Sequence, residues 1–432
     1  MSEIASNILT HAGVKNLDEL DLSDPDIQKS VGMQMHELMF KKQRPNLVQE
    51  IMDMGVPKHT DRNVETIDEY KGAETGFCLA RAEQSGTCMT AGGADINIET
   101  DHVYCMTAKL FLDANHSGCR LSPAGFLFDD IYKKYDGQSL DGKSIFIWRS
   151  GGIGDLLFIR PILKYLKERY PTCKILFATR SIYHNMARNW GDCIDTLLDI
   201  PFDAEILAKT DYHVTFEGLI EYCKDAERMD VHDLFARYMG LDPDKIDWIC
   251  PMAIEDKDFG LPDDYAVVQI RASSVVRTPR PATIVNIIDT CTNSGMPVVI
   301  AEAPRNSRMV DDIIGLCHNP LMIYNFADIA ESFMDTIALI DKAKLVVAPD
   351  SCQVHVAAMQ QTPCVGLYGP FPANVRAKRY PNFVSVETGC KSLPCGGREC
   401  YTHGHLLCEH AERCWDSIDE NELTNAIENM LP

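Results

Sequence analysis

Positive charge is what this sequence has least of. Its 432 residues include 41 Lys and Arg against 63 Asp and Glu, a formal net charge of −22. Non-specific nucleic-acid affinity needs clustered cations, so a broadly cationic surface is excluded and at most a local basic groove remains. Long apolar runs are missing as well, and none reaches the roughly 20 residues that cross a bilayer. The opening MSEIASNILTHAG lacks the basic-then-apolar order of a secretory signal. The expectation is therefore a soluble, cytoplasmic protein, with or without peripheral attachment to a membrane, and with no transmembrane segment. Seventeen cysteines in such a compartment read mostly as free core thiols, any clustered set being a metal candidate.

What is present describes an ordinary soluble chain, 45% apolar and 24% charged, long enough for two or three domains. Ser144 to Tyr170 organises it. Ile145-Phe-Ile-Trp148 reads as a buried strand, Arg149-Ser-Gly-Gly-Ile-Gly154 as a turn, and Leu156, Ile159, Leu163, Leu166 and Tyr170 share one face of a following helix. Strand, glycine turn and amphipathic helix open an α/β domain, and such a helix start offers N–H groups to an anion. Gly152 and Gly154 let the backbone approach a ligand. Asp155 falls at the junction either as a helix cap, as a catalytic carboxylate, or as both. A dinucleotide fingerprint would need a third glycine where Leu157 stands, and the second strand ends Thr179-Arg180 without an acidic residue, which counts against a nicotinamide cofactor.

Strands alternate with helices from there on. The first set adds strands at Lys174–Ala178, Thr196–Ile200 and Tyr212–Phe216 and a helix over Val231–Met239. Acidic, proline-bearing segments (Leu241–Asp244 and Glu255–Asp264) read as a linker. A second set begins at Tyr265–Ile270 and runs to Cys364–Tyr368. Two such sets imply two doubly wound, parallel-sheet domains facing across a cleft, with ligands beyond the carboxyl ends of the strands. Residues 1–140 form an accessory region, with helices expected at Ile27–Lys42 and Leu47–Met54, strands across Ala91–Phe111, and Cys78, Cys88, Cys105 and Cys119 as buried thiols. Domains are placed at 143–255 and 262–388, with 389–432 as a cysteine-rich segment and an amphipathic final helix.

Three further constellations lie at strand ends. Asp350 followed by Gln353 is a capping-box variant that would aim the N–H groups of Ser351 and Cys352 at a diphosphate, with His355 one turn in as a packing residue. Gly369, in Gly366-Leu-Tyr-Gly-Pro-Phe-Pro372, permits close approach to a ligand. Arg271, Arg277 and Arg280 follow the first strand of the second set, where phosphate recognition competes with a solvated loop paired to carboxylates. Cys390, Cys395, Cys400, Cys408 and Cys414 crowd the tail. Their spacings are looser than structural zinc sites usually show, so zinc on Cys395, Cys400, Cys408 and Cys414 competes with free thiols or disulfides.

Taken together, RSGGIGDLLFIRPILKYLKERYP and VVAPDSCQVHVAAMQQTPCVGLYGP resemble the lipopolysaccharide heptosyltransferase family of GT-B glycosyltransferases, over about residues 143–432. The resemblance implies an inverting transfer from a nucleotide-diphosphate sugar to an acceptor hydroxyl of a glycan or lipopolysaccharide, with no metal required. It makes Asp155 the general base and Asp350, with Ser351 and His355, the shaper of the diphosphate site. A family lysine falls close to Thr278, so Arg277 or Arg280 would supply that charge, and a ribose or base contact falls near Glu302. Some family members carry a similar cysteine-rich end. A protein or modified nucleic-acid base as acceptor, a sugar-nucleotide epimerase and a non-catalytic nucleotide-sugar-binding module are the alternatives.

Overall fold

A computed structural model of the chain describes residues 66–70, 77–89, 95–107, 110–111, 114–115, 119–124, 130–388 and 413–432. They fall into two compact units with interleaved segments. One holds the described residues from 77 to 131 with Pro201–Ile206, and the other holds 66–70, Tyr132–Ile200 and everything from Leu207 onward. The helices expected at 27–42 and 47–54 lie outside the described residues.

The first unit is antiparallel. It contains β1 (Phe77–Gln84), β2 (Gly86–Met89), β3 (Asp95–Ile98), β4 (Val103–Thr107) and β5 (Arg120–Pro123). β2 and β3 pair as a hairpin, and the order β5-β1-β4 is completed by β9 (Phe202–Asp203). Cys78, Ala80 and Ala82 alternate inward with Tyr104, Met106 and Leu121, the period of two that one buried face requires. Cys78 and Cys105 are buried thiols, whereas Cys119 is disulfide-bonded and so departs from the expectation of free thiols.

The second unit carries two parallel sheets. The first, in the order β10-β6-β7-β8, uses β6 (Ser144–Trp148), β7 (Lys174–Ala178), β8 (Thr196–Leu198) and β10 (Tyr212–Thr215). The second, in the order β13-β12-β11-β14-β15-β16, uses β11 (Ala266–Val268), β12 (Val298–Ile300), β13 (Ile323–Asn325), β14 (Leu345–Pro349), β15 (Cys364–Tyr368) and β16 (Phe383–Glu387). Its central strands are buried throughout, as a sheet covered on both faces demands. The longer helices are α1 (Ile153–Arg169), α2 (Val231–Tyr238), α3 (Pro281–Asn293), α4 (Ser307–Ile314), α5 (Phe333–Lys342), α6 (Cys352–Gln360) and α7 (Glu420–Met430).

Two segments read from sequence as peripheral are part of this unit's core. The expected linker at 241–244 is folded: Leu241, Ile246, Trp248 and Met252 are buried, and Trp248 Nε1 donates to Pro243 O. Thr66–Tyr70 likewise belongs here, with Tyr70 fully buried and edge-on to Tyr238. Among the described residues no helix is long and apolar enough to cross a membrane.

Candidate active site

Strand order decides where ligands can sit. In the second sheet the chain reverses direction of growth between β11 and β14, which pair directly. In the first sheet the reversal lies between β6 and β10. Crevices open at such switch points beyond the carboxyl ends of the strands. Four loops converge there: 149–155 after β6, 216–218 after β10, 269–280 after β11 and 350–351 after β14.

The loop after β6 is built around one carboxylate. Asp155 Oδ2 lies 2.5 Å from Arg149 Nη2, and Arg149 also donates to Gly151 O at 3.0 Å and Phe216 O at 2.7 Å. Arg149 is buried, while the Asp155 side chain keeps 22% of its surface open to solvent. The helix cap itself is Gly152, at φ 80° and with no side-chain cap bond, so Asp155 sits in the first turn and the reading of it as the cap does not hold. Gly152 is required there. A β-carbon on it would lie 2.9 Å from Asp155 Cγ. Glu217, at the end of β10, accepts from Ser150 N and so pins the same loop from below.

Gly154 serves a different contact from the ligand approach expected of it. A β-carbon there would stand 2.8 Å from His355 Cδ2, so the missing side chain lets α1 close on α6. His355 is buried against Phe158, and its Nδ1 lies 2.7 Å from Tyr380 Oη. Burial pushes its imidazolium down to about 3, so the ring is neutral and packs against Phe158 and Tyr380.

On the second sheet the expected capping box is absent. Ser351 occupies the cap position of α6 without a side-chain bond, and its buried Oγ has no partner among the described residues. Asp350 turns instead toward Arg277, whose Nη1 donates to Asp350 O at 3.0 Å and lies 3.4 Å from Oδ2. Arg277 and Arg376 stand 5.8 and 5.1 Å from the ring centre of Phe371, so one aromatic ring meets two guanidinium groups beside the α6 N-terminus. Beside Ser351, Cys352 has its thiol pushed up to about 12 by burial, which makes it a neutral lining group.

The other expected residues disperse. Arg280 pairs with Asp416 at 3.2 Å, in the tail. Arg271 Nε lies 4.0 Å from Glu302, and Glu302 already accepts from Gln269 Nε2 at 2.5 Å and Asn306 Nδ2 at 2.6 Å. Gly369 faces an indole. A β-carbon there would be 2.9 Å from the Trp415 indole, which is buried and donates to Val276 O at 3.0 Å. Trp415 thus ties the turn after β15 to the arginine loop. Cys395, Cys400 and Cys408 lie outside the described residues, and Cys414 is buried in the core of the second sheet. Among the described residues no group of three or more His, Cys, Asp or Glu could hold a metal.

Arg149, Glu217, Arg376, Tyr380 and Trp415 escaped the sequence reading. Only Arg149 left a signal, a cation closing an otherwise apolar strand immediately before a glycine turn. The others arrive from separate loops, through topology that no local pattern encodes.

Residues 231–402 match the model of a protein family, Glycosyltransferase family 9 (heptosyltransferase). Lipopolysaccharide heptosyltransferase 3 of Escherichia coli is 29% identical over 112 residues, 26% of this chain and 32% of that protein. The match therefore spans about a third of the curated relative's length. A glycosyl transferase family 9 structure from Veillonella parvula covers 68% of this chain and 98% of its own, at 17% identity and a TM-score of 0.51. E. coli ADP-heptose lps heptosyltransferase II covers 67% of this chain and 98% of its own, at 13% identity and a TM-score of 0.50. Both sheets are thus those of a GT-B framework, and the resemblance to this family is borne out, with the second motif (346–370) inside the matched segment and the first (149–171) outside it.

Proposed function

We propose that this chain, which carries glycosyltransferase family 9 sequence on a GT-B framework, transfers a glycosyl group from a nucleoside diphosphate sugar to an acceptor hydroxyl, with inversion. One observation carries the reading. The turn that presents Asp155 touches, through Gly154 and His355, the helix whose N-terminus would cradle the diphosphate. On this reading the proposed base and the proposed leaving-group site belong to one packed junction.

In the proposed reaction the acceptor oxygen bonds to the anomeric carbon while the bond from that carbon to the diphosphate oxygen breaks. Asp155 takes the hydroxyl proton. Arg149 holds the carboxylate in place by a buried ion pair whose other donors are fixed on backbone carbonyls. The diphosphate leaves with the bonding electrons and meets Arg277, Arg376, the Ser351 hydroxyl and the first-turn N–H groups of α6, which have no intrahelical acceptor. Phosphate charge is thereby assigned to protein cations and helix dipole, with Glu302 and Arg271 next in line for the ribose or base.

The test begins with a thermal-shift screen of nucleotide sugars. ADP-heptose, named for one structural neighbour, is the first donor to try. A bound donor raises the melting temperature by mass action. Asp155→Asn is expected to abolish nucleoside diphosphate release while keeping that shift, and Asp350→Ala is expected to weaken the shift. Normal turnover by Asp155→Asn would remove the base assignment. An epimerised donor with no nucleoside diphosphate released would point to an epimerase.

A further inference from the structure

Arg180 closes β7 at the same sheet edge as Arg149 and Asp155, one strand over. Its Nε donates to Ser150 O at 2.8 Å and its Nη2 to Tyr183 Oη at 2.8 Å, and its guanidinium lies 5.2 Å from the Tyr183 ring centre. A β-carbon on Gly151 would stand 2.9 Å from Nη2, so the group rests on the glycine turn itself. Both partners are neutral. Of the five N–H donors of a guanidinium, these bonds occupy two, and among the described residues no carboxylate pairs with Arg180. By contrast Arg149 has Asp155, Arg277 has Asp350 and Arg280 has Asp416. In a chain with 63 acidic residues an arginine held half-buried, oriented and without a counter-charge among the described residues is unusual.

We infer that Arg180 is an acceptor-side subsite for an oxyanion, a phosphate or a carboxylate carried close to the hydroxyl that becomes glycosylated. The inference rests on the proposed transferase reading and adds the chemical class of its acceptor. Geometry sets the placement. Arg180 stands on Gly151, and Asp155 stands on the adjacent Gly152, whose α-carbons are about 3.8 Å apart. An anion seated on the guanidinium fork would thus lie against the same glycine turn as the Asp155 carboxylate. The donor cradle belongs to the other sheet, so the two anions do not compete. Arg180 is a specificity residue in this scheme, since the fork is already oriented by its backbone and tyrosine bonds and its remaining donors match two oxygens of a planar or tetrahedral oxyanion.

The experiment labels the full-length protein with phenylglyoxal and reads each arginine by peptide mass spectrometry. Probes are glycerol 1-phosphate, glycerate, neutral glycerol and sodium chloride at matched ionic strength. The expected result is that glycerol 1-phosphate, glycerate or both slow labelling of Arg180, by about tenfold once a probe exceeds its Kd by that factor. Glycerol and salt leave the rate unchanged. The stronger of the two anions tells phosphate from carboxylate. Equal rates with and without the anions would overturn the subsite. So would an Arg180 that never reacts, because a guanidinium closed to phenylglyoxal is closed to an acceptor. Arg277 is scored in the same digest against added ADP, which reports on the donor reading separately.

Discussion

Replacing Gly152 by alanine isolates the geometry on which the proposed base depends. Gly152 sits at φ 80°, where a β-carbon meets its own backbone at a cost of about 1–2 kcal/mol. The same carbon would stand 2.9 Å from Asp155 Cγ and nearer still to Oδ2. Carbon contacts settle at about 3.5–4.0 Å, so the carboxylate must retreat by roughly 1 Å. The 2.5 Å pair with Arg149 does not survive that movement. Arg149 retains its carbonyl acceptors, so the lost pair should fall below the roughly 3–5 kcal/mol of a fully broken buried ion pair. A total near 2–4 kcal/mol of lost stability follows, readable by denaturant unfolding. The kinetic effect should be larger. A 1 Å misplacement is associated with about a hundredfold loss, and removal of a general base with about 10²–10⁴. The assay is nucleoside diphosphate release from the donor that the thermal screen identifies. Gly152→Ala is expected to lower kcat/KM by about 10²–10⁴ with donor affinity nearly unchanged. Combined with Asp155→Asn it should cost nothing further, because both changes remove the same function. An equal loss in both backgrounds, or turnover close to wild type, would refute the reasoning.

Other outcomes follow from features of the same unit. Burial depresses His355 to about 3 and His213 to about 4, against about 6.5 in an unfolded chain. The unfolded state then binds more protons as pH falls below about 6.5, so these two residues make stability decline by up to about 1.4 kcal/mol per pH unit each. Urea unfolding between about pH 4.5 and 6 should show a slope shallower by about one proton in His355→Gln. Trp415→Phe removes the donor to Val276 O and leaves that carbonyl unpaired, an expected loss of about 1–3 kcal/mol together with a raised donor KM. An unchanged KM would detach Trp415 from the arginine loop. Gly154→Ala over-packs against His355 and should destabilise by about 1–3 kcal/mol, a loss that His355→Ala in the same chain should partly relieve.

Much of the framework was legible because its signals are local. Apolar runs between glycine and proline turns marked β6, β7, β11, β14 and β15, and the helical spacing of Leu156, Ile159, Leu163 and Leu166 marked α1. β16 was missed because Phe383–Glu387 is a half-exposed edge strand with little apolar run. The site was legible only in part, and for a physical reason. Asp155 and Asp350 announce themselves beside turns, and Arg149 lies in the same loop as Asp155, but strand order brings Glu217 to the first turn and Arg277 to Asp350 from distant loops. At Gly369 no local pattern announces the indole that fills the space freed by glycine. Composition misled at Asp350, whose sequence spacing fits a cap while its side chain answers to an arginine.

The interleaving of the two units bears on how this protein could be cut or recombined. Thr66–Tyr70 is encoded ahead of the antiparallel strands yet completes the parallel unit, and Phe202–Asp203 is encoded between strands of the parallel unit yet supplies a strand to the other. A gene fragment starting near residue 140 would leave a hole where the Tyr70 ring belongs, and deletion of a fully buried aromatic side chain costs about 3–5 kcal/mol. A cut at that point should therefore yield a less stable parallel unit.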